Sequence, residues 1–155
     1  MTTIAVTATQ MAADGLRTWG DQVCGRAHKK IKHIGHVLYG FTGLTAMFDP
    51  IVEWHQDGAR PKDLPECKSD SGWSLIVVDR FGISKYTSTC PYPERFDPPI
   101  AFGAGCDYAM GAMWAGRSAA DAIRLVAENC SHTGGEIQVI DIAEALGLNR
   151  LEATE

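Results

Sequence analysis

The sequence predicts an α+β domain in which helices pack on antiparallel sheets, and three observations carry that prediction. Short stretches with a two-residue apolar period fill much of the first forty residues. Two longer stretches, 44–55 and 107–128, repeat apolar residues every three or four positions. The order that results is strands, helix, strands, helix, strand, with no internal repeat and no interior linker, and 155 residues suit one domain over 1–155.

The elements follow in chain order. In Thr3 to Ala8, Ile4, Val6 and Ala8 share one face of a strand, and Met11 to Gly15 continues after a tight polar turn as its partner. His28 to His33 leads through Gly35 into the apolar His36 to Phe41, a second strand pair. Leu44, Met47, Phe48, Ile51, Val52 and His55 then fall at helical spacing, with Pro50 predicting a late start or a bend. Residues 56–72 are polar, contain two prolines and lack periodicity, so a surface loop is expected. Trp73 to Asp79 and Ile83 to Thr87 flank Arg80-Phe-Gly82 as a hairpin, and the proline-rich Cys90 to Pro99 is expected to be irregular. After Ile100 to Phe102, one long helix with a small-residue face is predicted from Asp107 to Glu128. Thr133-Gly-Gly closes it, Glu136 to Ile142 reads as the last strand, and 143–155 as a C-terminal tail.

Composition narrows the function classes. Hydrophobic residues at 45% and charged residues at 21% argue against disorder and coiled coil. A net charge of −5 argues against a nucleic-acid partner. The basic cluster Arg26, His28, Lys29, Lys30, Lys32, His33 has no interleaved aromatics and reads as a solvated strand face. No apolar run approaches the roughly 20 residues of a membrane span, and the start lacks a secretion signal, so no membrane partner and a cytoplasmic location are expected. Five cysteines without a C-x-x-C pair disfavour a disulfide framework or a zinc ribbon. Gly103-Ala-Gly105 between a strand and a helix suggests a phosphate cradle, but Tyr108 occupies the place of the third glycine.

The residue with most chemistry is the second. Removal of Met1 leaves Thr2 with an α-amine, of pKa about 7.7–8.0, beside its own hydroxyl. One residue then supplies nucleophile and base. Many chains begin Met-Thr without that chemistry, so the pattern matters more than the dipeptide.

The segments Thr2-Thr-Ile, Ala12-Ala-Asp14-Gly15, Lys29-Lys30-Ile31, Tyr39-Gly40-Phe-Thr-Gly43, Phe102-Gly-Ala-Gly105 and Thr133-Gly-Gly135 occur in that order along residues 2 to about 142. Together they resemble the proteasome β-subunits and HslV-like N-terminal-nucleophile hydrolases. The resemblance implies a four-layer αββα sandwich of two antiparallel sheets and a threonine-type peptidase working inside a homo-oligomeric ring. It also implies an unfolded protein or peptide as substrate and an ATPase unfoldase as a possible partner. Carried over, Thr2 is the nucleophile, Lys30 lies beside its hydroxyl, Asp14 pairs with that lysine, and Gly40 offers a backbone N–H to the oxyanion. No cofactor is required; backbone carbonyls at Ala127, Cys130 and Thr133 match a site for a monovalent cation such as Na⁺.

Each position has a plainer structural reading. Asp14-Gly15 is also a turn dipeptide, Lys30 also fits a solvated strand face, and Gly40 also fits a close approach of two elements. The chain departs from the family pattern in four places, one of them a shortened first strand pair with only two or three turn residues around Thr9. Ala104 replaces the serine that assists the terminal amine. Cys130 and Thr133 replace an Asp and a Ser, as they do in HslV-type members. No second helix is predicted in residues 56–72, so one helix layer is reduced and the assembly altered. The alternative function is a non-catalytic structural or interaction subunit of the same fold.

Overall fold

The computed structural model describes residues 1–67 and 72–148. In chain order the elements are β1 (Thr3–Val6), β2 (Gln10–Ala13), β3 (Arg17–Trp19), β4 (Gln22–Gly25), β5 (Ile31–Ile34), β6 (Val37–Thr42) and α1 (Phe48–Gln56). Then come β7 (Ser74–Asp79), β8 (Gly82–Thr87), β9 (Cys90–Phe96), β10 (Ile100–Gly103), α2 (Cys106–Trp114), α3 (Ala119–Asn129), β11 (Gln138–Asp141) and α4 (Ile142–Ala145).

Two antiparallel sheets form the centre, one ordered β10-β1-β2-β11 and the other β5-β6-β7-β8-β9; β3 and β4 make a separate hairpin. Because side chains alternate along a strand, each sheet has two buried faces and the molecule has three apolar layers. Ile4, Val6 and Met11 of the first sheet meet Leu38, Ile76, Val78 and Ile83 of the second. Tyr39, Phe41, Leu75 and Val77, on the opposite face of the second sheet, pack on Phe48, Ile51, Val52 and Trp54 of α1. Ala5, Ala12 and Ala101, on the opposite face of the first, pack on Ala109 and Met113 of α2 and on Ile123 and Val126 of α3. The result is helix, sheet, sheet, helix: the four-layer αββα sandwich. Small side chains on the α2–α3 side let backbones approach closely, whereas the α1 side is filled by aromatic rings, with Phe41 stacked on Phe48 at 5.1 Å.

The α1 layer is the reduced one. Pro50 sits in the first turn of α1, where its missing N–H would have had no helical partner. Among the described residues no second α-helix lies between α1 and β7. Ala59, Leu64 and Cys67 of the expected surface loop pack against the α1 cluster instead, around a single 3₁₀ turn at Pro61–Asp63.

Four readings of the sequence are corrected. Cys90 to Phe96 is an edge strand and not irregular; Pro91 and Pro93 fall where its register against β8 slips, between the Lys85–Glu94 and Thr87–Cys90 pairs, so they break no ladder bond. The predicted long helix is two, because Gly116 turns left-handed (φ +92°) after α2 and the Ser118 hydroxyl caps α3, accepting from the Asp121 N–H at 3.1 Å. The apolar period is uninterrupted across the break, which hid it. Residues of the expected tail belong to the body: α4 places Ile142, Ala145 and Leu146 in the layer between the sheets, while 149–155 lie outside the described residues. Last, the β3–β4 hairpin was absent from the sequence reading. It turns at Gly20-Asp21, and its strands are largely exposed on both faces, so no apolar alternation marks them.

Replacing Ser118 with Ala removes the cap that starts α3 and should lower stability by about 1 kcal/mol, read as a smaller urea midpoint with an unchanged slope.

Candidate active site

The adjacent β1 and β2 and the start of β5 bring three sequence-separated residues together. Asp14 follows β2 directly and is fully buried. Its carboxylate accepts three hydrogen bonds: from the Thr3 N–H (3.0 Å), from Lys30 Nζ (2.9 Å) and from the Gly134 N–H (3.2 Å). Lys30 is 4% exposed and also donates to the carbonyl oxygen of Met1 at 2.8 Å, the oxygen of the Met1–Thr2 peptide bond. Burial pushes the Lys30 ammonium below its usual pKa of 10.5, with Asp14 opposing through its charge and hydrogen bond. Gln138 on β11 fixes the backbone beneath, accepting from the Lys30 N–H at 2.6 Å and from the Ile31 N–H at 3.3 Å.

Thr2 is held by its backbone. Its carbonyl accepts from the Ala104 N–H at 2.8 Å. Gly103 (φ +95°) lies so close that a Cβ there would stand 1.8 Å from that oxygen, so only glycine fits. The next residue is pinned by its side chain: Thr3 Oγ1 accepts from the Gly105 N–H at 3.0 Å and shares a 2.8 Å hydrogen bond with Thr133 Oγ1. Thr2 and Lys30 open onto a cleft of about 450 Å³, also lined by Met1, Arg17, Trp19, His28, Gly43 and Ala104.

No protein-family model matches the chain, and no curated protein sequence does. Solved structures do match. HslV from Trypanosoma brucei superposes with a TM-score of 0.70 at 19% identity, over 91% of this chain and 98% of that one. BPH from Thiobacillus denitrificans in complex with epoxomicin gives a TM-score of 0.65 at 19% identity, over 91% and 98%, and a second BPH structure gives 0.64 at 22%, over 91% and 97%. The chain has the HslV fold.

On that HslV scaffold, Thr2, Lys30 and Asp14 converge and Gly40 does not. Gly40 lies mid-strand in β6, paired with Ile31 on one side and Ile76 on the other, so its N–H faces a neighbouring strand. A Cβ there would stand 2.8 Å from Met11 Cε and 2.9 Å from Ile4 Cδ1. Its missing side chain makes room for sheet-to-sheet packing, the close-approach reading. Gly43, three residues on, lines the cleft instead. Ala104 also lines it and brings no hydroxyl. Thr133 reaches Thr3 through its side chain, while Ala127 and Cys130 lie at the end of α3.

Sequence reasoning missed Thr3, Gln138, Arg17 and His28. A polar residue in the otherwise apolar Thr3–Val6 was the available signal for Thr3; none marked Arg17, or Gln138 in a strand that also carries Asp141.

Truncating Asp14 to Ala leaves a cation buried beside an apolar hole. The expected loss is about 3–5 kcal/mol of unfolding free energy, while Asp14→Asn, which keeps an acceptor, should lose less. Chemical denaturation of both variants at neutral pH reads the difference.

Proposed function

We propose that this protein is a threonine-type peptidase that hydrolyses peptide bonds with Thr2 as its N-terminal nucleophile once Met1 is removed. The observation that carries the reading is the buried Lys30 ammonium, oriented by Asp14 and hydrogen-bonded to the peptide unit that joins Met1 to Thr2. An alkoxide forming on Thr2 would develop at the residue next to the peptide oxygen that this almost fully buried cation holds, and a fixed cation near a developing negative charge stabilises it. The lowered Lys30 pKa makes its proton easier to share.

In the proposed reaction the Thr2 hydroxyl attacks the substrate carbonyl and its proton passes to the Thr2 amine. A backbone N–H at Gly43, rather than Gly40, faces the oxyanion. The tetrahedral intermediate collapses to an ester on Thr2, and the departing amine takes the proton. Water, activated by the same α-amine, then hydrolyses the ester and regenerates Thr2. A BPH structure with the same fold holds epoxomicin, which supports testing small-molecule binding to this chain.

The wider proposal is a homo-oligomeric ring in the cytoplasm, acting on unfolded protein or peptides with an ATPase unfoldase as partner. Among the described residues no helix is long and apolar enough to cross a membrane. Tyr108 and Trp114, both on α2 and about 70% exposed, offer apolar surface for a neighbouring copy. Backbone carbonyls at Ala127, Cys130 and Thr133 are hard oxygen donors at the negative end of α3, chemically suited to Na⁺. Such an ion would brace the turn that carries Thr133 and would take no part in bond breaking.

One observation favours the alternative, a non-catalytic subunit: Ala104 offers the terminal amine no hydroxyl. Intact-mass analysis of natively produced protein separates the two. The peptidase should have lost one methionine and should gain one β-lactone adduct that maps to Thr2 and disappears in Thr2→Ala. Retained Met1, or an unreactive Thr2, would leave the non-catalytic reading standing.

A further inference from the structure

The cleft holds a charge imbalance that peptide-bond chemistry alone does not use. Its lining includes three basic side chains, Arg17, His28 and Lys30, and no carboxylate, in a chain whose net charge is −5. The Lys30 charge is answered by Asp14 at 2.9 Å. Arg17 is exposed and forms no ion pair among the described residues. It comes from β3 together with Thr18 and Trp19, the latter 77% exposed, while Thr42, Leu44 and Thr45 enter from the end of β6. His28, half-buried, is anchored by its backbone N–H, which donates to the Gly15 carbonyl at 3.0 Å.

The imidazole of His28 responds to the same field. Burial lowers its pKa below 6.5, the charges of Arg17, Lys30 and Lys32 lower it further, and only Asp14 raises it. An anion entering the cleft would therefore meet a guanidinium with free donors and a neutral histidine that the anion's own charge would help to protonate. Guanidinium and carboxylate match in geometry, with two parallel hydrogen bonds available.

We propose that Arg17, with His28 beside it, selects peptides that carry a carboxylate side chain next to the bond to be cut, so that the substrates of this site are acidic peptide segments. The proposal rests on the peptidase reading for the cutting step, but the selection itself is a matter of binding. Glu and Gln have the same shape, so a preference between them measures charge recognition. One charge-assisted contact is worth roughly tenfold or more in affinity. A carboxylate bound there raises the His28 pKa, so the preference grows as pH falls.

Calorimetry with the full chain can test the selection as a matter of binding, using N-acetylated, C-amidated peptides that differ at one residue: Glu, Gln, Leu or Lys. The expected result is Glu bound at least about tenfold more tightly than Gln and Lys bound most weakly. In Arg17→Ala the Glu-to-Gln ratio should fall to near one; in Arg124→Ala, an equal change of charge on the surface of α3, it should stay as in the wild type. His28→Gln should abolish the rise in preference at lower pH. Equal binding of Glu and Gln peptides, a ratio unmoved by Arg17→Ala, or no peptide binding at all would each overturn the proposal. Selective binding of Glu peptides with no hydrolysis and no β-lactone adduct would instead overturn the peptidase reading and leave the selection standing.

Discussion

The ion pair of Asp14 and Lys30 is the constraint around which the rest of the molecule is arranged. Two charges taken out of water lose several kcal/mol of hydration each, and their mutual attraction compensates only when the remaining hydrogen-bonding capacity is also met. Here it is met from every side. Asp14 receives donors from β1, from the residue that leads into β5 and from the turn after α3, so one carboxylate ties together segments 11, 16 and 120 residues apart in sequence. Among the described residues no buried side-chain nitrogen or oxygen lacks a partner. A pair so fully bonded is rigid, and rigidity is what lets a lysine hold its ammonium against the peptide unit ahead of Thr2.

The layers around the pair serve that placement in different ways. The alanine-rich face of the first sheet allows α2 and α3 to lie close, which brings the α3 end, and with it Thr133 and Gly134, up against β1 and β2. Gly105 works the same way, since a Cβ there would meet Val126 Cγ1 at 2.3 Å and Thr3 Oγ1 at 2.9 Å. The aromatic face of the second sheet is built for thickness, and α1 with part of the following loop covers it.

What could be read from the sequence follows the strength of the local physical signal. Strands buried on both faces announced themselves, Thr3–Val6 by alternation in size and Ser74–Asp79 by a continuous aliphatic run, and so did the amphipathic α1. The β3–β4 hairpin did not, because Arg17, Trp19 and Gln22 face solvent and leave only Gly20-Asp21 as a clue. The break between α2 and α3 was masked because Gly116 fits a small-residue face as well as it fits a helix end. In the site, Lys30 and Asp14 were legible only through the joint pattern of motifs, since neither residue alone distinguishes a buried pair from a strand edge and a turn. Gly40 was misplaced for a related reason. Two glycines three residues apart carry the same letter, and only the sheet register tells which is walled in by Met11 and Ile4 and which reaches the cleft.

The edge strand β9 has a further consequence for how copies of this chain can meet. An open sheet edge invites a neighbour to add its own strand through backbone hydrogen bonds, and such growth has no natural end. Pro91 and Pro93 remove two donors from that strand, and the slipped register disturbs what remains. Contacts along this border must therefore be made by side chains, whose shapes fix a partner and an angle. A closed assembly needs contacts of that kind, and an open fibre does not.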